Sequence, residues 1–422
     1  MTGILLALGL VMTAATQFRM GGLPIGPGEL LLLGWMGIAA MRYVLLAQTL
    51  RLSSAFRRVS IFWLAMVFSL CVGMIMGLAV EPFQFYSGIL RDAAAYSLVL
   101  IFSLLVTLSL EDATERRRVI WNLVVLGSAS LTLQIADGFG LVPLPGVTAW
   151  YWDRLRGWAE NPNQLGFFAL VVTLLGIHLA ESARNASETL RAIAFAVPPF
   201  IAGIMSKSDS FIIGIMLSGA LFVTLKSIIW IRTDDMAPTL KGTAVVLALL
   251  ALPLTIAASV PFASAAFERF EEISEGVYGE NDQGEVRLHL WAEAVDKGLE
   301  AKLLGFGPGP HLTSKSFKRP PPNKFEVHNT FLDLFTQGGI FSVMAFFWIT
   351  GLAGIGAARA QAPALAGLVV GLLVFSMFHY TVRHPIFWFG IVLCLLEAAL
   401  QSKRKSARIP SPVPHPTRQS AS

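Results

Sequence analysis

The chain has 422 residues, of which 14% are charged and 55% hydrophobic, and a formal net charge of +5. Ordinary soluble domains carry about 25% charged residues, so a soluble globular protein is excluded and an integral membrane protein is implied. The Lys and Arg residues are scattered through short loops rather than gathered in a stripe with aromatics, which argues against a nucleic-acid partner, and the alternation of a membrane β-barrel is absent.

A spanning helix needs roughly 20 mostly apolar residues. In chain order the sequence predicts twelve spans, at 3–18, 28–50, 59–80, 86–110, 118–136, 164–181, 191–206, 210–230, 241–260, 329–350, 362–380 and 384–401, which defines an all-α polytopic membrane protein. The first run, Gly3 to Ala15, has the length of a signal-peptide core. No Lys or Arg precedes it and no clear cleavage site follows, so it is expected to remain as the first span. Residues 1–260 therefore hold the first nine helices with an outer loop at 137–163, residues 261–328 form one large outer loop, 329–401 hold the last three helices, and 402–422 form a tail. That tail, rich in Pro, Ser and basic residues, is expected to be disordered.

Within the large loop, Leu288, Trp291, Val295 and Leu299 recur at helical spacing and predict an amphipathic helix on the bilayer surface or on the bundle. A short helix is expected at Ala265 to Ile273, and Arg319-Pro320-Pro321-Pro322-Asn323 imposes an extended segment before the next span. Cys71 and Cys394 lie in apolar runs without metal-ligand spacing, so neither a disulfide framework nor a zinc site is supported.

Cytoplasmic loops of membrane proteins carry the excess of Lys and Arg. With both termini inside, that side receives Arg51, Arg57, Arg58, Arg116, Arg117, Arg118, Arg184, Arg191, Lys226, Arg232, Lys241, Arg359 and the basic tail, against only Arg19, Arg154, Arg156, Lys207 and Arg383 in the short outer loops. The large loop is thereby expected outside.

The densest set of cationic and reactive side chains falls on that outer side. His328 and Asn329 stand where a span begins, with unpaired helix N-terminal amides beneath whatever lies above them. Asn329 reads equally well as a plain N-cap. His328, at the water boundary beside a cationic loop, can move a proton near neutral pH. Arg287 and Trp291 share a helical face, although an isolated pair of this kind is often an interfacial snorkelling arrangement. Gly305-Phe306-Gly307-Pro308-Gly309 lacks the βαβ context of a nucleotide loop, and reads as a turn first and at most as a cradle of backbone amides.

A second cluster, Arg154, Arg156, Gly157, Trp158, Glu160, Asn161, Pro162 and Asn163, precedes the sixth span, where Asn163 is a candidate cap. Arg91 and Asp92 lie one to two turns into the fourth span, where ionisable residues are costly and a functional reading is the default. Pairing of these two neighbours with each other is disfavoured on a helix. Arg383, His379 and His384 around the last outer turn are weaker candidates. Several arginines and one histidine on one face, without paired carboxylates or a metal-ligand cluster, describe a site for a diphosphate, whose oxygens match arginine forks.

The order Arg287-x3-Trp291, Gly305-Phe-Gly-Pro-Gly309 and His328-Asn329-Thr-Phe-Leu332, with Gly339 eleven residues after the histidine, resembles the O-antigen ligase and O-antigen polymerase superfamily. Arg156-Gly-Trp-Ala-Glu-Asn-Pro-Asn163 looks like the outer-loop motif of the same family. Two departures stand out: Ser206-Lys207-Ser208-Asp209-Ser210 replaces a Ser-Arg pair followed by small residues, and Ser342 replaces a frequent glycine. The resemblance implies a glycosyltransferase of the GT-C type in the bacterial inner membrane, using a glycan on undecaprenyl diphosphate and an acceptor glycan or lipid A core, with membrane lipids around it and no metal or other cofactor. On this analogy His328 and Arg287 are catalytic, Arg156, Arg154 and Arg91 bind the diphosphate, and Asn329, Trp291 and Asn163 support them. Polymerase is favoured slightly over ligase. A transporter or lipid-linked glycan flippase is the rival from another class, but transporters place polar residues at the midplane and often show two similar halves.

Overall fold

The computed structural model describes residues 2–19, 25–45, 52–80, 87–232, 283–312 and 326–408. Its elements are α1 (Thr2–Met12), α2 (Pro27–Leu45), α3 (Ser54–Val80), α4 (Ser87–Ser109), α5 (Ala113–Gly138), the strands β1 (Trp150–Tyr151) and β2 (Arg154–Leu155), α6 (Pro162–Glu181), α7 (Ala186–Met205), α8 (Asp209–Ile231), α9 (Gln283–Glu300), α10 (Thr330–Arg359), α11 (Pro363–Phe378) and α12 (Pro385–Arg408). Every expected span except the ninth falls on one of these helices. The ninth, at 241–260, lies outside the described residues, as do the short helix expected at Ala265 to Ile273 and the proline-rich segment at 319–323. Among the described residues seven helices, α3 to α8 and α10, are long and apolar enough to cross a membrane, and α1, α11 and the apolar part of α12 are shorter. The chain is a polytopic helical membrane protein.

Helices that are apolar all round belong in the interior of such a bundle. In α6 every residue from Leu165 to Gly176 is buried, and α11 is buried on nearly every side. Around them α3, α4 and α12 share an aromatic core in which Phe62, Trp63 and Trp388 pack edge-to-face and tilted against one another and the Trp63 indole donates to Ser103 Oγ at 2.7 Å. The outer helices expose Leu64, Phe68 and Ile75 on α3 and Phe341, Met344 and Phe347 on α10, as lipid-facing surfaces do. Cys394 is buried and Cys71 exposed, both unpaired.

Ionic contacts gather at the two ends of the bundle. At one end Arg116 reaches Glu397 at 3.0 Å, Arg117 reaches Glu188 at 2.5 Å, and Lys226 reaches Glu181 at 3.2 Å. At the other lie Arg91, Asp92, Glu326 and Arg383. Arg383 lies just before α12 and Glu397 within it, roughly 20 Å further along at a rise of 1.5 Å per residue. The cationic residues that the loop pattern groups on one side thus meet partners from that same side.

Three local details differ from expectation. Helix α1 stops at Met12, short of residue 18, because the chain turns to bind the loop before α6: Gln17 N donates to Trp158 O at 2.9 Å, and its side-chain amide donates to the carbonyls of Gly157 and Ala159, each at 2.8 Å. Helix α12 runs past Gln401 to Arg408 before the tail begins. Basic residues suit a helix C-terminus, and the proline at position 410 disfavours helical backbone at the residue before it. On α9 the face turned to α10 is Leu290, Ala294 and Gly298, whereas Val295 and Leu299 of the expected stripe stand exposed. The helix therefore has one face on the bundle and a second apolar strip outside it.

The long helix α10 is broken at Gly339, whose φ of 66° and ψ of −162° interrupt the helical ladder. That break would strand the carbonyls of Thr336 and Gln337 and the amide of Ile340 in an apolar setting. The loop after α9 satisfies all three: Phe306 N donates to Thr336 O at 2.8 Å, Gly307 N to Gln337 O at 2.8 Å, and Ile340 N to Leu303 O at 2.9 Å. Only glycines allow the approach. Gly305 and Gly307 have φ of 84° and 92°, and a Cβ on Gly73 of α3 would lie 2.7 Å from Gly307 N. Ser342 takes part as well, its hydroxyl donating to Leu334 O at 2.7 Å and Gly339 O at 2.8 Å.

Candidate functional site

The site is built where the first turns of α4 and α10 meet the turn between α11 and α12. Asn329 caps α10, its Oδ1 accepting from Phe331 N at 3.0 Å and Leu332 N at 3.3 Å. One turn on, Asp333 is buried and folds back over the entry to the helix: Oδ1 accepts from Val327 N at 2.9 Å and Oδ2 from Asn329 N at 3.3 Å. The residue between those two amides is His328. Held on both sides, it takes a left-handed φ of 57° and presents its side chain as exposed. Such a backbone costs a non-glycine residue on the order of 1–3 kcal/mol and persists only where its surroundings over-determine it. Thr330 ties the same entry to the α11–α12 turn, donating to His379 O at 2.6 Å and accepting from Thr381 N at 2.9 Å.

Beside His328 lies a four-membered ionic cluster. Arg91 donates from Nε to Asp92 Oδ1 at 2.8 Å and from Nη2 to Glu326 Oε1 at 2.6 Å. Arg383 donates from Nη2 to the same Glu326 oxygen at 2.7 Å and from Nη1 to Asp92 Oδ1. The neighbours Arg91 and Asp92 do pair, against the helical expectation, because Arg383 and Glu326 close a ring around them. Burial disfavours the Glu326 carboxylate, but Arg383, Arg91 and His328 outweigh it and hold its pKa below the ordinary value. Burial works equally against the Arg383 charge, and Glu326 and Asp92 keep it protonated. Its guanidinium also lies over the Tyr380 ring, 4.4 Å from the centroid. Below this layer the Tyr96 and Tyr380 hydroxyls meet each other and both lie within hydrogen-bond distance of Gln337 Oε1, at 2.9 and 3.3 Å.

The outer cluster before α6 is a small hairpin, β1 pairing with β2 in antiparallel register through Tyr151 and Arg154. Its arginines are occupied internally. Arg154 donates to Ser206 O at 3.0 Å and Asn163 Oδ1 at 2.8 Å, and Arg156 to Thr148 O at 2.8 Å, Thr148 Oγ1 at 2.6 Å and Glu160 O at 3.3 Å. The cap of α6 is Asn161, which accepts from Asn163 N at 2.8 Å, rather than Asn163 itself. Pro162 decides this: proline suits the first helical position and holds the residue before it extended, as a cap requires. Lys207, the cation in the altered Ser-Arg position, pairs with Asp153 at 2.5 Å, and that hydrogen bond lowers the Asp153 pKa. His384 stands between the hairpin side and the ionic cluster, packed on Phe167, with its pKa pushed down to about 4 by burial first and then by Arg383 and Arg19.

The structure therefore joins Arg91, Asp92 and Arg383, all three singled out in the sequence, to the neighbourhood of His328 and Asn329, and adds Glu326, Asp333, Tyr96, Gln337 and Tyr380. Trp291 packs beside Leu290, Ala294, Leu312, Val327 and Leu332, against the same helix entry. Arg287 lies on the first turns of α9, and its side chain is outside the described residues. The amides of Phe306 and Gly307 are spent on the α10 break and do not form a cradle. Gln337 and Asp333, polar residues one turn apart in a span, are a usable sequence signal for the deeper half of the site.

A bundle of membrane-spanning helices with a charged cluster at one end defines a polytopic membrane protein. A family model described as O-antigen ligase matches residues 194–347, from α7 to the middle of α10. Over those residues the match bears out the resemblance to the O-antigen ligase and O-antigen polymerase superfamily. The matched stretch contains Arg287, His328, Asn329, Asp333 and Gly339, while Arg91 and Arg383 come from outside it. No curated protein matches the chain at a significant level.

Proposed function

We propose that the chain transfers a glycan from undecaprenyl diphosphate to an acceptor hydroxyl on the periplasmic side of the bacterial inner membrane, in O-antigen or exopolysaccharide assembly, with polymerase favoured over ligation to lipid A core. In this reading about twelve spans of a GT-C-like fold place both termini in the cytoplasm, and residues 261–328 form a large periplasmic loop between helices 1–260 and 329–401. The single observation that carries the reading is His328, exposed and arched by the two oxygens of Asp333 beside a cluster of guanidiniums.

The chemistry follows from the donor. A lipid diphosphate is already a good leaving group, so the protein must orient the acceptor and neutralise charge growing on the departing oxygens. The acceptor oxygen bonds to the anomeric carbon and its proton leaves toward His328, while the bond from that carbon to the diphosphate breaks and the diphosphate departs with the electron pair. Arg287 stabilises this step, and Arg91, Arg154 and Arg156 bind the diphosphate. Arg154 and Arg156 exchange their internal carbonyl partners for phosphate oxygens on binding. No second carboxylate is needed, unlike a glycosidase with its acid and nucleophile.

His328→Ala and Arg287→Ala are each expected to abolish transfer while leaving the protein inserted and folded. Purified protein supplied with a lipid-diphosphate glycan and candidate acceptors measures this, and normal turnover by both variants overturns the assignment. In a deletion strain, single repeats on the carrier indicate a lost polymerase and long chains on the carrier a lost ligase. Glycan trapped inside the cell points to a flippase instead.

A further inference from the structure

One oxygen of Glu326 receives two guanidiniums. Arg91 Nη2 lies 2.6 Å from Glu326 Oε1 and Arg383 Nη2 lies 2.7 Å from the same atom. Each guanidinium gives that anionic oxygen one charge-assisted hydrogen bond, the kind arginine also makes to phosphate oxygens. The two carboxylates of the cluster are not equivalent. Asp92 is completely buried on α4 and ties both arginines together through Oδ1, whereas Glu326 sits at the solvent edge with 18% of its side chain exposed. If Glu326 swung away, Asp92 would still hold Arg91 and Arg383 side by side, facing outward. Arg91 is the most open member, at 41% exposure.

We propose that Arg91 and Arg383 form a diphosphate site that Glu326 occupies as an internal counter-ion when no donor is bound, and that a diphosphate displaces it. The inference rests on the proposed function for the identity of the donor, but the anion site is defined by its own geometry. With Glu326 seated, the cluster holds two positive and two negative charges and is neutral. Replacing a single carboxylate charge by a diphosphate supplies more negative charge and more acceptor oxygens to the same forks. Glu326 is also two residues from His328, on the strand of chain pinned by Asp333 through Val327. Its displacement is therefore transmitted directly to the segment that carries the histidine, and donor binding and acceptor activation are coupled through that short stretch. Glu326 is in this sense a positioning residue, and Arg383 a binding residue.

The test uses the full chain in detergent and measures binding of farnesyl diphosphate, with inorganic pyrophosphate as a second probe lacking the lipid. Glu326→Gln keeps the shape and removes the competing charge, and is expected to bind both probes about tenfold more tightly, a change of about 1.4 kcal/mol. Glu326→Asp, which retains the charge, is expected to bind more weakly than Glu326→Gln. Arg91→Gln and Arg383→Gln are expected to weaken binding at least about tenfold on the same scale, and Glu326→Gln in an Arg91→Gln background is expected to gain less than it does alone. Because Arg383 is largely buried and its loss can unfold the protein, Arg91→Gln carries the comparison if the Arg383 variant is unstable. Equal or weaker binding by Glu326→Gln in a folded protein, or an undiminished gain in the Arg91→Gln background, overturns the proposal. If Glu326→Gln tightens diphosphate binding while the wild type transfers no glycan, the anion site stands and the enzyme reading fails. If the wild type is active and its affinity for both probes is indifferent to Glu326, the enzyme reading stands and the counter-ion role fails.

Discussion

Removing the Asp333 carboxylate is the perturbation that most directly separates a shaped His328 from an incidental one. Two backbone amides, Val327 N at 2.9 Å and Asn329 N at 3.3 Å, lose their acceptor in Asp333→Ala, and both residues are buried. Leaving a buried donor unsatisfied costs about 1–3 kcal/mol. Two such donors, the second on a longer and weaker bond, bring the local cost to roughly 2–5 kcal/mol. The left-handed backbone of His328 resists its own conformation by about 1–3 kcal/mol, so without the clamp the arch relaxes and the imidazole leaves its position. Asp333→Asn is a sharper probe. Asparagine can accept from only one of the two amides, and its own NH2 then faces the other, so it is expected to recover little. Transfer rates are expected to fall at least about tenfold for both variants, each tenfold corresponding to about 1.4 kcal/mol. The loss should appear chiefly in kcat, because the arginines that would hold the donor are untouched. Glycan transfer by the purified protein, with folding checked by thermal unfolding in detergent, makes the measurement. Full activity in Asp333→Ala with an unchanged midpoint refutes the clamp.

Gly339→Ala is expected to destabilise the protein by at least about 2 kcal/mol, since an alanine held at φ 66° and ψ −162°, a region essentially restricted to glycine, costs about 1–3 kcal/mol before its Cβ meets the Leu303 carbonyl and the adjoining backbone of Leu304. Accelerated proteolysis near residues 303–307 reports it, and wild-type resistance contradicts the proposed seating of that loop in the break. His384 supplies a pH-dependent term. Its folded pKa of about 4 lies below the ordinary 6.5, so the unfolded chain takes up the proton first as pH falls. The stability it contributes is complete above about pH 6.5 and is lost toward pH 4, amounting to roughly 3 kcal/mol at about 1.4 kcal/mol per unit. His384→Gln should flatten thermal stability across that window, and an unchanged slope rules the contribution out.

Much of the membrane architecture is legible from the chain because its cause is local. Apolar runs of spanning length, broken by basic loops, predict the described helices α1 to α8 and α10 to α12, and partition Arg116, Arg117 and Lys226 from Arg19, Arg154 and Arg383 by alternation alone. His328-Asn329 at a helix entry and Arg91-Asp92 inside a span are likewise visible, one as a cap position and the other as costly charge in an apolar segment. The α9 stripe lies a step out of phase with the face that packs. Its exposed strip is as apolar as its buried one, and hydrophobic spacing cannot say which of two apolar faces meets protein and which meets lipid. Asn161 and Asn163 both precede the same apolar run and compete as caps on residue type alone, and it is Pro162 between them, fixed at the first helical position, that selects Asn161.

What the sequence by itself determined is that this is a helical membrane protein with cationic loops, a histidine at a helix entry and the motif order of a glycan-transferring superfamily. Tertiary structure alone decided which charges meet. Asp92 and Arg383 are separated by 290 intervening residues, yet they share a hydrogen bond, and Glu326 joins them from a third part of the chain. It also decided that the Gly305–Gly309 turn mends a broken helix, since the carbonyls it satisfies exist only because Gly339 interrupts α10. Helix formation and membrane burial depend on composition over one or two dozen neighbouring residues. Ion pairing and backbone repair depend on which distant segments are brought together, and that is settled only when the bundle packs.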